Sequence, residues 1–152
     1  MTGTTRFVVV PASYLYLLRE RPSGTEVLLQ LRGTVDYLPG HWAAAAAGHV
    51  ERGETASDAV LREAREELGL ITAEVAFEFS MHRTAHDLPI DERIDFFFTA
   101  RSWTGEPRIM EADKCAGLGW FPLEELPEPM VPHERHALAS LGTGARHLSF
   151  GF

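Results

Sequence analysis

Only one of the 14 basic residues, Lys114, is a lysine, there is a single cysteine, and no apolar run approaches the length of a bilayer. Cys115, being alone, cannot form an intrachain disulfide, which makes a reducing compartment the simpler setting. It sits in a strand-like run, where a small buried hydrophobe is expected rather than a nucleophile. The apolar stretch from Phe7 to Leu18 is broken by Pro11 and falls well short of the roughly 20 residues that span a membrane. It also lacks a signal-peptide cleavage pattern, so a cytoplasmic protein with no membrane partner is expected. The net charge is −8 and the arginines do not cluster, which argues against sequence-independent binding to nucleic acid. An acidic chain can still take an anionic small molecule if metal ions lie between the two. Repeats, low-complexity segments and linkers are missing as well. A chain of 152 residues, 45% apolar and 24% charged, therefore reads as one globular domain, 1–152.

What is present alternates between strands and helices. Phe7 to Leu18 and Glu26 to Leu31 are strand candidates separated by the turn cluster "RERPSGT". Leu70 to His82, Ile94 to Trp103 and Gly117 to Phe121 are further strands, with the loop "HDLPIDE" between the first two. "PLEELPEP" reads as a single turn ended by prolines, and Pro132 to Leu141 as a helix with Gly142 at its end. The clearest helix is Thr55 to Leu68, with Thr55 as cap, Asp58 in the first turn and Gly69 beyond the end.

Projected at about 100° per residue, that helix carries Ser57, Leu61, Ala64 and Leu68 along one stripe, which is expected to face the core. Glu63, Glu66 and Glu67 crowd another side. Like charges at these spacings destabilise a helix, and Glu66 and Glu67 lie near its negative end. The arrangement is either a solvated acidic face relieved by Arg62 and Arg65, or a seat for a hard divalent cation such as Mg²⁺ or Mn²⁺.

The preceding residues decide between these. Gly48, Glu54, Arg62, Glu63, Ala64, Glu66, Glu67, Gly69 and Leu70 stand at the spacing G-x5-E-x7-R-E-U-x-E-E-x-G-U, U being aliphatic. This resembles the Nudix box at every fixed position, with Ala64 a small choice for an aliphatic one. The resemblance implies an α/β fold, a Nudix-type α/β/α sandwich with a mixed β-sheet. It also implies Mg²⁺-dependent (or Mn²⁺-dependent) hydrolysis of a nucleoside diphosphate linked to a group X. By that analogy Glu63 and Glu67 are metal ligands, Glu66 is a further ligand or the base, Arg62 orients Glu63, and Glu54 pairs with Arg62. Gly48 would offer its carbonyl to a metal. Beyond the box, "LGWFPLEELPE" looks like the tryptophan strand of these domains, and Glu111 and Asp113 just before it are candidates for an extra carboxylate.

Within the family, the expected substrate is a (d)NTP or related nucleotide, with a nucleotide-sensing or partner-binding module without turnover as the alternative. The protein would be a monomer or homodimer. Tyr37, Trp42, His82 and Arg83 are where substrate contacts are sought, since aromatics stack on bases and arginine binds phosphate. Each is individually better explained by packing or surface. Trp103 and Trp120 read as core, and His133 and His136 as solvated. The alanines Ala43 to Ala47 are expected to form strand rather than helix, leaving room for substrate or metals, with helix propensity overridden by tertiary context.

Overall fold

A computed structural model describes residues 5–152. Its elements run β1 (Val10–Arg21), β2 (Gly24–Arg32), β3 (Trp42–Ala44), β4 (Ala46–His49), α1 (Ala56–Leu68), β5 (Thr72–Arg83), β6 (Arg93–Thr104), β7 (Cys115–Pro122), α2 (Pro132–Ser140) and β8 (His147–Phe150). A single 3₁₀ turn, Pro89–Asp91, interrupts the loop between β5 and β6. No described helix is long and apolar enough to cross a membrane.

The sheet is mixed, in the order β3-β2-β1-β6-β5-β8, with β4 paired to β1 and β7 to β2. β1 lies at its centre. Alternation along β1 sends Ala12, Tyr14, Tyr16 and Leu18 to one face and Leu15 and Leu17 to the other. The first set packs with Phe79, Met81 and Phe97 against Ala137 and Leu138 of α2. The second packs with Phe98 against Val60, Ala64 and Leu68 of α1. The result is an α/β/α sandwich with one helix on each face.

One helix stripe differs from expectation. The side chains of α1 that are buried are Ala59, Val60, Glu63, Ala64 and Leu68, while Ser57 is exposed and Leu61 only partly covered. The helix is rotated because Glu63 is drawn inward beside Gly48, which has no side chain to oppose it. Thr55 caps the helix through a reciprocal pair of bonds with Asp58, and Gly69 closes it in the left-handed conformation at φ 68.

The alanine run is strand, as its position demands. β1 pairs with β2 through Leu18 to Arg21 and with β4 through Ala12 to Leu15, so its partners part company along its length. Ala43 and Ala44 stand opposite Gln30 and Leu29 in the ladder to β2, and Ala46 and Ala47 opposite Leu15 and Tyr14 in the ladder to β1, with a bend at Ala45 between them. A helix here would forfeit both ladders, which outweighs alanine's small intrinsic preference. The segment is packed on both sides, Ala44 in the α2 core and Ala45 and Ala46 in the α1 core. β8, a short strand added parallel to the end of β5, has no counterpart in the sequence-based expectation.

Because Ala44 is fully buried, Ala44→Leu is expected to cost about 1–3 kcal/mol by overpacking, measured by chemical denaturation. The exposed Ala116→Leu serves as control and should change little.

Candidate active site

The loop before α1 and its first turns gather the charged residues of the box. Arg62 is the hub. Its Nη2 donates to Glu54 Oε1 at 2.7 Å and to the His49 carbonyl at 3.1 Å, and its Nε donates to Glu54 Oε2 at 3.1 Å. Its Nη1 donates to Glu63 Oε1 at 2.8 Å and, more weakly, to Glu66 at 3.3 Å. Such charge-assisted bonds hold a carboxylate in one orientation. They raise the Arg62 pKa, chiefly through Glu54, and bonding to Arg62 lowers that of Glu54.

Glu63 and Glu67 are not on a solvated face. Glu63 is 9% exposed, and its carboxyl occupies the space beside Gly48, where a Cβ would lie 2.1 Å from Oε1. Burial raises its pKa against the opposing pull of Arg62. Glu67 Oε2 accepts the Ala47 N–H at 3.0 Å. Burial, with repulsion from Glu63 and Glu111, pushes Glu67 up to about 8, opposed by the Ala47 bond. Glu66 differs from both, its side chain being 54% exposed.

Glu111 reaches this region through the segment that wraps the end of α1. Arg108 N donates to Leu68 O and Met110 N to Glu67 O, capping helix carbonyls that would otherwise lack partners. The Glu111 carboxylate is 2.8 Å from Lys114 Nζ and lines a small cavity of about 170 Å³ together with Glu67, Ala45 and Cys115. Asp113 does not join it: its side chain is exposed and its backbone carbonyl accepts the Thr34 N–H. Cys115 is half-buried at the start of β7 rather than enclosed in the core.

On the α2 side of the sheet lies a larger cavity of about 570 Å³, floored by Ala43, Ala44, Ala47 and Gly48. Glu67, Gln30 and Arg32 line both cavities, so the two meet there. Of the four residues considered for substrate contacts, Tyr37 and Arg83 line the larger one. Trp42 and His82 do not. Trp42 packs edge-on against Phe121 of β7 at 4.7 Å, both lying against the core cluster on the α2 side. His82 turns to the face opposite Arg83 and meets Phe152 at 4.8 Å.

Several lining residues escaped sequence reasoning. His133, expected to be solvated, is 3% exposed, with Nε2 3.2 Å from Tyr14 Oη. Burial, then Arg83, Arg93 and Arg32, hold its pKa well below the usual histidine range, so it is neutral. Glu134 is buried beside it, and Oε1 accepts both Tyr16 Oη–H and Ala44 N–H at 2.7 Å. Burial pushes its carboxyl up to about 7. The available signal was the adjacent pair of polar residues at the start of a short helix whose other side must meet the sheet. Arg93 and Asp95 were also legible in principle, as polar residues at i and i+2 of an otherwise aromatic strand, "RIDFFF".

The donor set is oxygen-rich, which suits a hard divalent ion rather than zinc. Among the described residues, no three His, Cys, Asp or Glu side chains are already gathered as a chelating group. Glu63 and Glu67, one turn apart on α1, could hold such an ion, with Glu111 lining the same small cavity as Glu67. The same cradle that brings Glu63 against Gly48 is blocked by any Cβ at that position.

Fold and site together define an α/β protein with a carboxylate-lined cleft opening from a loop–helix–loop. The model of the NUDIX domain family matches residues 10–141, and the chain belongs to that family as a Nudix hydrolase. It is 31% identical over 116 residues to the Nudix hydrolase YvcI of Bacillus subtilis, covering 73% of this chain and 72% of that one. It is 33% identical over 123 residues to the mouse 8-oxo-dGDP phosphatase NUDT18, covering 77% of this chain but only 32% of the larger protein. Among solved structures, the MutT NUDIX hydrolase of Burkholderia pseudomallei superposes with a TM-score of 0.69 at 28% identity, over 86% of this chain and 98% of that one.

Two outcomes follow from this geometry. Gly48→Ala should fold, since the flexible Glu63 carboxylate can give way, but should bind Mn²⁺ at least tenfold more weakly by electron paramagnetic resonance. Glu67→Gln should raise the Tm of the metal-free protein by a few degrees at pH 8.5. A carboxyl whose pKa is about 8 when folded, against 4.5 otherwise, contributes most below pH 4.5 and loses that contribution as pH rises to about 8. The gap between variant and parent should therefore close on acidification to about pH 4.5, which a pH series of thermal melts checks.

Proposed function

We propose that this protein hydrolyses a phosphoanhydride of a nucleoside diphosphate linked to X, most simply a nucleoside di- or triphosphate, with Mg²⁺ or Mn²⁺ as cofactor. The observation that carries this reading is the meeting of two cavities at Glu67. The smaller is carboxylate-lined, and the larger is roomy and aromatic-walled, of the size that small-molecule sites require.

In this reading Glu63, Glu67 and the Gly48 carbonyl hold the ion, with Glu111 as an additional carboxylate. A bound divalent cation screens the phosphate oxygens and lowers the pKa of a water. The chain's own residues do the positioning. Arg62, fixed by Glu54, holds Glu63 as a carboxylate in one orientation, and the Ala47 N–H does the same for Glu67. Glu66, exposed and held by one long bond, is free to act as a further ligand or as the base. Arg32, at the junction, is placed to meet phosphate oxygens, while Tyr14, Tyr37 and the alanine floor give the nucleoside flat apolar surface. The similarity to an 8-oxo-dGDP phosphatase puts oxidised guanine nucleotides first among candidates.

The test is a panel of canonical and 8-oxo nucleotides, nucleotide sugars and dinucleotides with Mg²⁺, following release of phosphate or pyrophosphate. Turnover of at least one member is expected, falling at least 1,000-fold, about 4 kcal/mol of barrier, in Glu67→Gln. Tight binding of one member without any turnover would make the protein a nucleotide sensor instead. Near-normal activity of the variant would remove Glu67 from the ligand set.

A further inference from the structure

The far wall of the larger cavity holds a feature that the proposed hydrolysis does not use. Arg83 of β5 and Arg93 of β6 stand directly opposite each other in the antiparallel ladder, and both line the cavity. Like charges at opposed positions destabilise a sheet. Both side chains are largely buried, 12% and 14% exposed, which sharpens the penalty.

One carboxylate, Asp95, serves the two. Arg83 donates to it through Nε and to Tyr14 Oη through Nη2 at 3.1 Å. Arg93 Nε stands 4.0 Å from Asp95 Oδ1, and both of those buried atoms lack a hydrogen-bond partner. The remaining contact of Arg93 is Nη1 to the Ile90 carbonyl at 3.2 Å. No second carboxylate of the described residues comes within 4.0 Å of either guanidinium. Asp91, also on the cavity wall, has Oδ2 occupied by the Leu88 N–H. The excess positive charge is felt by a neighbour: after burial, Arg83, Arg93 and Arg32 are what lower the pKa of His133.

The pair is also set apart from the carboxylate cradle. Gly48 lies opposite Ser13 on β1, and Arg93 lies opposite Val10 on the other side of that strand. Three residues of strand separate them, about 10 Å along β1. A ligand seated at Glu67 can thus present a second group here.

We propose that Arg83 and Arg93 form a second phosphate site, taking a terminal or monoester phosphate of the substrate that lies beyond the anhydride to be cleaved. This rests on the hydrolase reading above only in supposing that the same substrate fills both ends. Two planar guanidinium forks, with free N–H groups on each, match a phosphate dianion in shape and charge. The phosphate could be the last of a triphosphate chain or a monoester on the ribose.

The first test needs no turnover. Metal-free protein in EDTA at pH 8 and low salt is titrated with inorganic phosphate, following arginine Nε–Hε signals by NMR. Under these conditions the carboxylate cradle repels the probe. Saturable binding with a Kd of about 1–10 mM, roughly 3–4 kcal/mol, is expected, with the Arg93 signal moving. Arg93→Gln should weaken binding at least tenfold, and the exposed Arg101→Gln should leave it unchanged. Absence of saturable binding, or binding that leaves the Arg93 signal still, overturns the site.

The second test compares GDP, GTP and GDP bearing a 3′-phosphate as substrates. Arg93→Gln should lower kcat/KM at least tenfold for the GTP or the 3′-phosphate compound, according to the source, and by less than threefold for GDP. An equal fall for all three would make Arg93 structural and overturn the proposal. If the wild-type protein turned over no nucleotide, the hydrolase reading would fail, while the phosphate titration would still judge the arginine pair.

Discussion

Two carboxylates from one helix, the buried Glu63 and the partly buried Glu67, lie against the backbone of Gly48 and Ala47, and the rest of the site is arranged around that charge. Burying a carboxylate is costly unless it is paired and hydrogen-bonded. Glu63 is paired, by an arginine that Glu54 and the His49 carbonyl hold in place. Glu67 loses solvation, with one backbone N–H to offset it and two repelling carboxylates nearby, which is why its pKa rises to about 8. A helix that carries such a carboxylate gives up stability, a cost common where function is built into a scaffold.

The alanine segment makes the arrangement geometrically feasible. It bridges the diverging strands β1 and β2, and it is clamped by a carboxyl from each helix. Glu67 of α1 takes the Ala47 N–H, and Glu134 of α2 takes the Ala44 N–H. Methyl groups keep the floor between the two helices thin enough for both clamps to reach the backbone. Larger side chains would fill the space where the two cavities meet. The same thinness culminates at Gly48, where even a methyl group would collide with Glu63.

The charges of the larger cavity are distributed unevenly. Glu67 is accompanied by Arg32 where it meets the small cavity, whereas the wall formed by β5 and β6 contributes two arginines, Arg83 and Arg93. A protein of net charge −8 thus presents a locally positive wall, made possible because strand pairing brings Arg83 and Arg93 together from residues ten positions apart in the chain. The buried Asp95 beneath them neutralises one charge and leaves the other directed at the cavity.

The elements legible from sequence were those whose information is local. α1 was announced by its cap, its spacing and its glycine stop, and strands β5 to β7 by their β-branched and aromatic runs. The placement of the box glutamates on one helix follows from a period of about 3.6 residues, so their proximity needs no tertiary knowledge. The rotation of that helix did need it, since the inward turn of Glu63 depends on the empty space at Gly48. His82 was misplaced for a related reason: one residue of strand register decides which face a side chain meets, and the residue types alone do not report it. His133 and Glu134 were overlooked because the burial of a short helix depends on what it docks against. Spacings inside a single element were enough to place the box helix and to gather its glutamates on one side. Only the tertiary structure decided what stands opposite that helix, the alanine floor, the buried Glu134 and the arginine pair. Those meetings are set by the register and divergence of strands far apart in the chain.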